Sequence, residues 1–230
     1  MKPWQKKQWC VAKVGADFVW RMEDVLDLYA EPYDPRRPVV SFDEKPYPLR
    51  AHKNEPLPAR PGQALREDYE YVRKGTANLF LFFEPHRAWR RLEVTESRTN
   101  LDFAHQMKWL VDTGYPEADV IRLVLDNLST HSPAALYEAF SPDEARRLTK
   151  KLEFHYTPKH ASWLNMAEIE FSALERQCLR RRLGSADALA RESKAWEKAR
   201  NRAGTTIHWR FTTAHARTKL HRLYHRIHRD

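Results

Sequence analysis

The chain has 230 residues, 42% hydrophobic and 31% charged, with 40 Lys and Arg against 31 Asp and Glu for a net charge of +9. That length builds one sizeable core, and no apolar run approaches the roughly 20 residues that cross a bilayer. Two Cys exclude a disulfide scaffold and six Gly, in no P-loop or dinucleotide-binding pattern, exclude a glycine-rich phosphate cradle; the positive charge remains, and a basic protein often meets nucleic acid.

In chain order, Trp4, Trp9 and Val11 sit among lysines. Phe18, Met22, Val25, Leu26 and Tyr29 then recur at helical steps, predicting an amphipathic helix ended by Pro32, Pro35 and Pro38. Val39–Phe42 reads as a short strand, and residues 44–68, rich in proline, as an irregular connection. Leu79–Phe83 is a strongly apolar strand with Trp89–Val94 as its antiparallel partner across Glu84–Ala88. Leu101–Leu110 has helical spacing, and Val120–Leu125 is a buried strand interrupted only by Arg122. Ser132-Pro133 predicts a helix start with Ser at the cap, and Ser141-Pro142-Asp143-Glu144 predicts another with a capping box. Leu152–Tyr156 is a short strand stopped by Thr157-Pro158. Beyond it, 163–182 and 186–203 read as amphipathic helices and 215–228 as a basic terminal helix. This order of elements predicts a mixed α/β layer fold.

Two apolar runs end in aspartate: Val39–Phe42 leads into Asp43, and Val120–Leu125 into Asp126. Ligands of α/β sheets gather beyond the carboxyl ends of the strands. If the two strands are adjacent and parallel, Asp43 and Asp126 face one crevice, and paired carboxylates repel unless a cation lies between them. Hard oxygen ligands suit Mg²⁺ or Mn²⁺, and a third carboxylate would complete a two-metal site for phosphoryl displacement. Glu168 and Glu170 both qualify. At about 100° per residue they flank the apolar stripe of their helix by about 80° on either side, and periodicity does not choose between them.

The blocks VVSFDEKP (39–46), VIRLVLDNLSTHSP (120–133) and FHYTPKHASWLNMAEIEF (154–171) resemble the signature blocks of bacterial insertion-sequence transposases of the Tc/mariner superfamily, and TTIHWRFTTAHARTKLHRLY (205–224) is similar to their C-terminal stretch. The resemblance implies an RNase H-like mixed sheet flanked by helices, with a helical C-terminal tail. It implies a DDE triad of Asp43, Asp126 and Glu168 binding two Mg²⁺ or Mn²⁺, and cleavage and strand transfer of double-stranded DNA by a protein dimer in the bacterial cytoplasm. The organisation it suggests is a linker and helix over 1–38, a catalytic domain over 39–182, and a basic helical extension over 183–230. The interval of 41 residues between Asp126 and Glu168 is longer than in mariner enzymes. The first block begins close to residue 1, so a helix-turn-helix region for end recognition is expected on a separate protein. The alternative is a catalytically idle, RNase H-like DNA-binding module.

Other residues carry plainer expectations. His131 and Lys159 flank the crevice in sequence and are candidates for touching the scissile phosphate, as are Arg180, Arg181 and Arg182 at a helix end. Glu44 and Glu170 read as solvated or supporting carboxylates, and Asn165 as a helix cap answered by Glu168. No Cys or His pairs have zinc-finger spacing, and Cys10 and Cys178 read as packed thiols. The charge is uneven: residues 1–170 hold 25 Lys and Arg against 26 Asp and Glu, while 171–230 hold 15 against 5. That division predicts a metal-binding body and a DNA-gripping tail.

Overall fold

The computed structural model describes residues 15–227, so Trp4, Trp9, Cys10 and Val11 lie outside the described residues. The first element is the expected helix, α1 (Ala16–Ala30), which buries Met22, Val25, Leu26 and Leu28. Five strands follow along the chain: β1 (Val39–His52), β2 (Tyr71–Glu84), β3 (Trp89–Thr95), β4 (Ile121–Leu125) and β5 (Leu152–Tyr156). They form one mixed sheet in the order β3-β2-β1-β4-β5. β1, β2 and β3 pair antiparallel, whereas β4 and β5 run parallel to β1. The sheet is α/β and RNase H-like, as the resemblance implied.

The proline-rich stretch departs from expectation. β1 continues through Pro46 and Pro48 to His52, paired all the way with β2, so the irregular segment shrinks to residues 53–70. The cause lies in which way the backbone groups point. Arg50 donates its N–H away from β2 to Leu183 O (2.9 Å), and Pro46 and Pro48 share its parity along the strand. Their missing N–H therefore falls on the edge that β4 leaves open beyond Ser41, where no ladder bond is lost. The two-to-three register step opposite Pro48–Arg50 is taken up in β2 around Gly75, whose φ of 98° a side chain would resist.

Helices cover both faces. α2 (Asn100–Trp109), extended by a π-helical turn at Leu110–Gly114, packs with α3 (Ala134–Ala139) and α4 (Pro142–Lys150) over Val40, Phe42, Phe80, Phe82, Leu123 and Leu125. The opposite face carries α5 (Met166–Leu174) and α6 (Ala186–Arg202), which close over Leu79, Leu81 and Leu92. The single helix expected over 163–182 is broken into a 3-10 turn at Ser162–Leu164, α5 and a π-helical turn at Glu175–Leu179. Asn165, at the junction, has extended backbone (ψ 110°) and interrupts the helix to serve as the cap of α5.

Two cap predictions need correction. Pro133, not Ser132, holds the cap position of α3. Ser141 caps α4 without the predicted side-chain bond, and Glu144, the return arm of the predicted box, turns instead to Arg147 (2.7 Å) and Lys108. A capping box that was not expected, Thr99 with Asp102, starts α2.

The terminal helix resolves into α7 (Thr213–Lys219) and α8 (His221–Ile227), with His228 outside the described residues. Residues 205–220 do not project as a tail. Ala216 is buried, and Trp209 and Phe211 pack with it against the α1 side of the sheet. Part of the basic excess is consumed internally: Arg200 binds Glu170 (2.8 Å), Arg217 binds Glu23 (2.8 Å) and Arg181 binds Glu192. The division into metal-binding body and gripping tail is therefore too simple.

Candidate active site

Strand alternation and register bring the two aspartates together. Val39, Ser41 and Asp43 share one face of β1, and Arg122 and Val124 lead to Asp126 on the same face of β4. The parallel register pairs Val39 with Arg122 and Ser41 with Val124, so Asp43, inside β1 where its pairing with β4 ends, stands level with Asp126, which directly follows β4. α5 completes the arrangement. Its cap, Asn165, accepts from Ala167 N–H (3.0 Å) and donates from Nδ2 to Phe42 O (2.9 Å), the residue before Asp43. One side chain thus satisfies a free backbone donor of the helix start and ties that start to the strand that carries Asp43.

Tyr29 of α1 adds a second tether by donating to Leu164 O (2.8 Å). Glu168, three residues past the cap, opens into the cleft rather than returning to Asn165.

The cleft holds about 320 Å³ and is lined by Asp43, Asp126 and Glu168 together with Glu44, Lys45 and Arg98. Asp43 is almost buried, and its pKa is pushed up to about 7. Burial is the chief cause; the Glu44 N–H donated to its Oδ1 (2.8 Å) opposes it, and the charges of Glu168 and Asp126 push the same way. Glu168 is likewise held above the usual carboxylate range, by burial first and Asp126 second, with Ser162 and Lys45 opposing. Three hard oxygen donors, two of them with proton affinity raised by burial and by neighbouring carboxylate charge, form a donor set suited to Mg²⁺ or Mn²⁺. Among the described residues no three His, Cys, Asp or Glu side chains converge as a preformed chelating group. The fit is one of donor chemistry and shared cleft, with side-chain movement required to close on an ion.

His131 stands differently from its expected role. It is fully buried, stacked edge-on against Phe42 (5.3 Å between ring centres), so a phosphate has no access to it. Its Nδ1 lies 2.6 Å from Asp126 Oδ1 and its Nε2 3.5 Å from Glu44 Oε2. Burial works against the cation, but these two carboxylates outweigh it and raise the imidazole to about 9. His131 holds Asp126 from beneath. Glu44 is correspondingly shielded rather than solvated, reaching Arg98 at 3.3 Å.

Glu170 is also not solvated. Its side chain is 1% exposed and lies 3.4 Å from Arg90 and 2.8 Å from Arg200, turned away from the cleft. Of the two glutamates that periodicity left open, Glu168 is the one that lines the cleft. Lys159 is exposed in the loop after β5, and Arg180 and Arg181 are exposed beyond the π-helical turn. Arg182 is engaged by the carbonyls of Asp68 and Glu70. Lys45 and Arg98, not singled out in the sequence, line the cleft as its cations; Lys45 was legible only as the second residue after Asp43.

Residues 38–190 match the family described as DDE superfamily endonuclease, which is more than half of the chain. The chain belongs to the DDE superfamily endonucleases. Similar solved structures include the Mos1 transposase paired-end complex with left transposon end (TM-score 0.58, 16% identity, 87% of this chain and 61% of that one). The Mos1 strand transfer complex is also similar (TM-score 0.57, 14% identity, 97% and 63%). A third is the Mos1 mariner paired end complex with Mn (TM-score 0.56, 15% identity, 87% and 62%). At these identities the likeness is one of fold, and this DDE endonuclease chain spans less than two thirds of the length of those chains. No curated protein matches the sequence. Among the described residues no helix is long and apolar enough to cross a membrane.

The raised proton affinity of Asp43 has a measurable consequence for this endonuclease fold. Unfolded, the group ionises near 3.8; folded, near 7. The unfolded chain therefore gives up this proton first, and without metal the contribution of Asp43 to stability falls as pH rises from about 4 to about 7, by at most about 1.4 kcal/mol per pH unit, then levels off. Urea unfolding across that range in EDTA should show the decline, and Asp43→Asn should flatten it. Addition of Mn²⁺ at pH 8 should raise the midpoint of the wild-type chain but not that of the variant.

Proposed function

We propose that this chain is the catalytic domain of a DNA transposase, cutting and joining DNA by metal-dependent phosphoryl transfer at Asp43, Asp126 and Glu168. The observation that carries the reading is the level placement of Asp43 and Asp126 on adjacent parallel strands with Glu168 lining the same cleft. Family membership supports the endonuclease chemistry, and the fold shared with Mos1 complexes supports DNA as the substrate.

When bound, two Mg²⁺ or Mn²⁺ ions would supply the activation of the attacking oxygen and the charge stabilisation at the leaving one. The chain's own groups do the rest. Asp43, Asp126 and Glu168 would hold the cations. His131 fixes the orientation of Asp126 through Oδ1, leaving its other oxygen for the cleft. Asn165 keeps the start of α5, and so Glu168, at a set distance from β1. Lys45 and Arg98 offer positive charge to the phosphate at the mouth of the cleft. The same groups serve both steps: water is the nucleophile in cleavage, and the freed 3′-OH is the nucleophile in joining.

The further parts of this reading are a bacterial insertion sequence as the source, the catalytic domain as residues 39–182, a dimer assembled on double-stranded DNA, and end recognition by a separate helix-turn-helix protein. The protein would work in the cytoplasm, where the nucleoid lies. Lys159 and Arg180 are its proposed phosphate contacts outside the cleft. The test is nicking and strand transfer on a plasmid in Mg²⁺ or Mn²⁺, with Asp126→Asn as the variant. Activity that persists in the variant or in EDTA overturns the reading, and DNA binding without cleavage under any metal favours the idle module. His131→Ala should reduce cleavage about 10- to 100-fold, because it removes only the support of Asp126; single-turnover rates would show this.

A further inference from the structure

Beside the cleft lies a larger recess of about 530 Å³, and Lys45 lines both. Its walls are the proline-bearing part of β1, the loop before β2, and the residues that follow the π-helical turn. The charges lining it are uneven: Lys45, Arg50, Arg180, Arg181 and Arg182 face two acids, Glu67 and Glu175. Lys45, Arg181 and Arg182 are engaged with Glu175, Glu192 and two backbone carbonyls. Arg50 and Arg180 close no ion pair among the described residues, so the recess presents cations that the fold itself does not use. Arg50 lies instead over the Tyr71 ring at 4.9 Å.

Tyr69 is the second observation. It lines the recess with 88% of its surface exposed, the most exposed of the large apolar and aromatic side chains described. Yet its backbone is not loose. Arg182 donates to Glu70 O (2.8 Å) and to Asp68 O (2.5 Å), gripping the chain on both sides of it. An aromatic ring held out to water on a clamped loop gains nothing for the fold. It is a preorganised surface for something flat.

We propose that this recess binds an unpaired nucleotide of the DNA strand whose phosphate sits at the cleft, with the base stacked on Tyr69 and the backbone on Arg50 and Arg180. The inference rests on the reading of the protein as an enzyme acting on DNA and adds where the strand goes next. A cavity of this size suits a small-molecule-sized unit such as one nucleotide, not the cross-section of a duplex. A basic groove with aromatic platforms is the surface that unpaired nucleic acid requires, since every base has a face to stack. Lys45, which lines both cavities, places a positive charge where the backbone would pass from one to the other.

The experiment uses the full chain in EDTA, so that binding is read without cleavage. The probes are one duplex carrying a short unpaired stretch with 2-aminopurine in it, and the same duplex fully paired. Wild type should quench the 2-aminopurine and favour the unpaired probe. Tyr69→Ala should lose the quenching and weaken binding of that probe about tenfold, with less than about a twofold change for the paired one. Tyr69→Trp should restore both signals, and the exposure of Tyr69 leaves the fold untouched. Equal affinity of wild type and Tyr69→Ala for the unpaired probe overturns the proposal. So does an equal loss on both probes, or a change in sedimentation alone, which would make Tyr69 a contact between protein chains. If wild type binds neither probe, the DNA reading itself fails with it; if Asp126→Asn abolishes cleavage while Tyr69→Ala changes nothing, only the recess proposal fails.

Discussion

Replacing Asp126 with asparagine is expected to lower metal-dependent DNA cleavage by about 10³-fold, while leaving the fold and DNA affinity in EDTA unchanged. The side chain is 41% exposed, so its charge is not part of the core. Asparagine keeps an oxygen for His131, whose Nδ1 approaches Asp126 Oδ1 at 2.6 Å. What it removes is the anionic donor level with Asp43. Glu168→Gln should behave alike. Circular dichroism, a DNA-binding titration in EDTA and a nicking assay in Mn²⁺ together separate this outcome from unfolding. A variant that melts early would show that Asp126 is chiefly structural, and one that cuts at the wild-type rate would remove it from the site.

Replacing Glu170 with alanine should instead destabilise the protein by about 3–5 kcal/mol. Glu170 is 1% exposed and Arg90, on β3, is fully buried, so the substitution strands a guanidinium without its carboxylate. Arg90 keeps Asn201 Oδ1 (3.0 Å) and Thr205 O as partners, but neither carries charge. The double variant Arg90→Met with Glu170→Leu should recover part of the loss, since it removes the stranded guanidinium of Arg90 but leaves Arg200 without its carboxylate. Urea unfolding with a double-mutant cycle checks both figures. Taken with Glu168→Gln, the result would divide two carboxylates a half-turn apart: one lost to catalysis, the other to stability. Were Glu170→Ala fully stable but inactive, the assignment of the glutamates would be reversed.

The legible parts of the fold are those where one neighbour dictates the pattern. Leu79–Phe83 is apolar throughout because helices cover both faces of the sheet there, and α1 shows its stripe because a single face packs. The extension of β1 through Pro46 and Pro48 was hidden because proline is read as a breaker, and only a sheet edge left open on the proline side makes it harmless. Also absent is the predicted cap box at Ser141. Its return arm, Glu144, pairs with Lys108 and Arg147, and Lys108 lies 36 residues away in sequence.

The site divides in the same way. The sequence determined that Asp43 and Asp126 each follow an apolar run, because a run ending in a carboxylate is a local pattern, and its blocks pointed to the endonuclease family; that β1 continues past Asp43 was not legible. It determined that the chain is basic, and that the excess lies beyond Glu168. Only the tertiary structure decided that the two strands are parallel neighbours in register, that Glu168 lines the cleft while Glu170 is buried against Arg90, and that His131 supports Asp126 from within. It also decided which positive charges the fold pairs internally and which it leaves unpaired. Arg200 and Arg217 are spent on Glu170 and Glu23, while Arg50 and Arg180 face the recess. The reason is physical: charge and periodicity are properties of a residue and its near neighbours, but burial and pairing depend on what the rest of the chain brings against it.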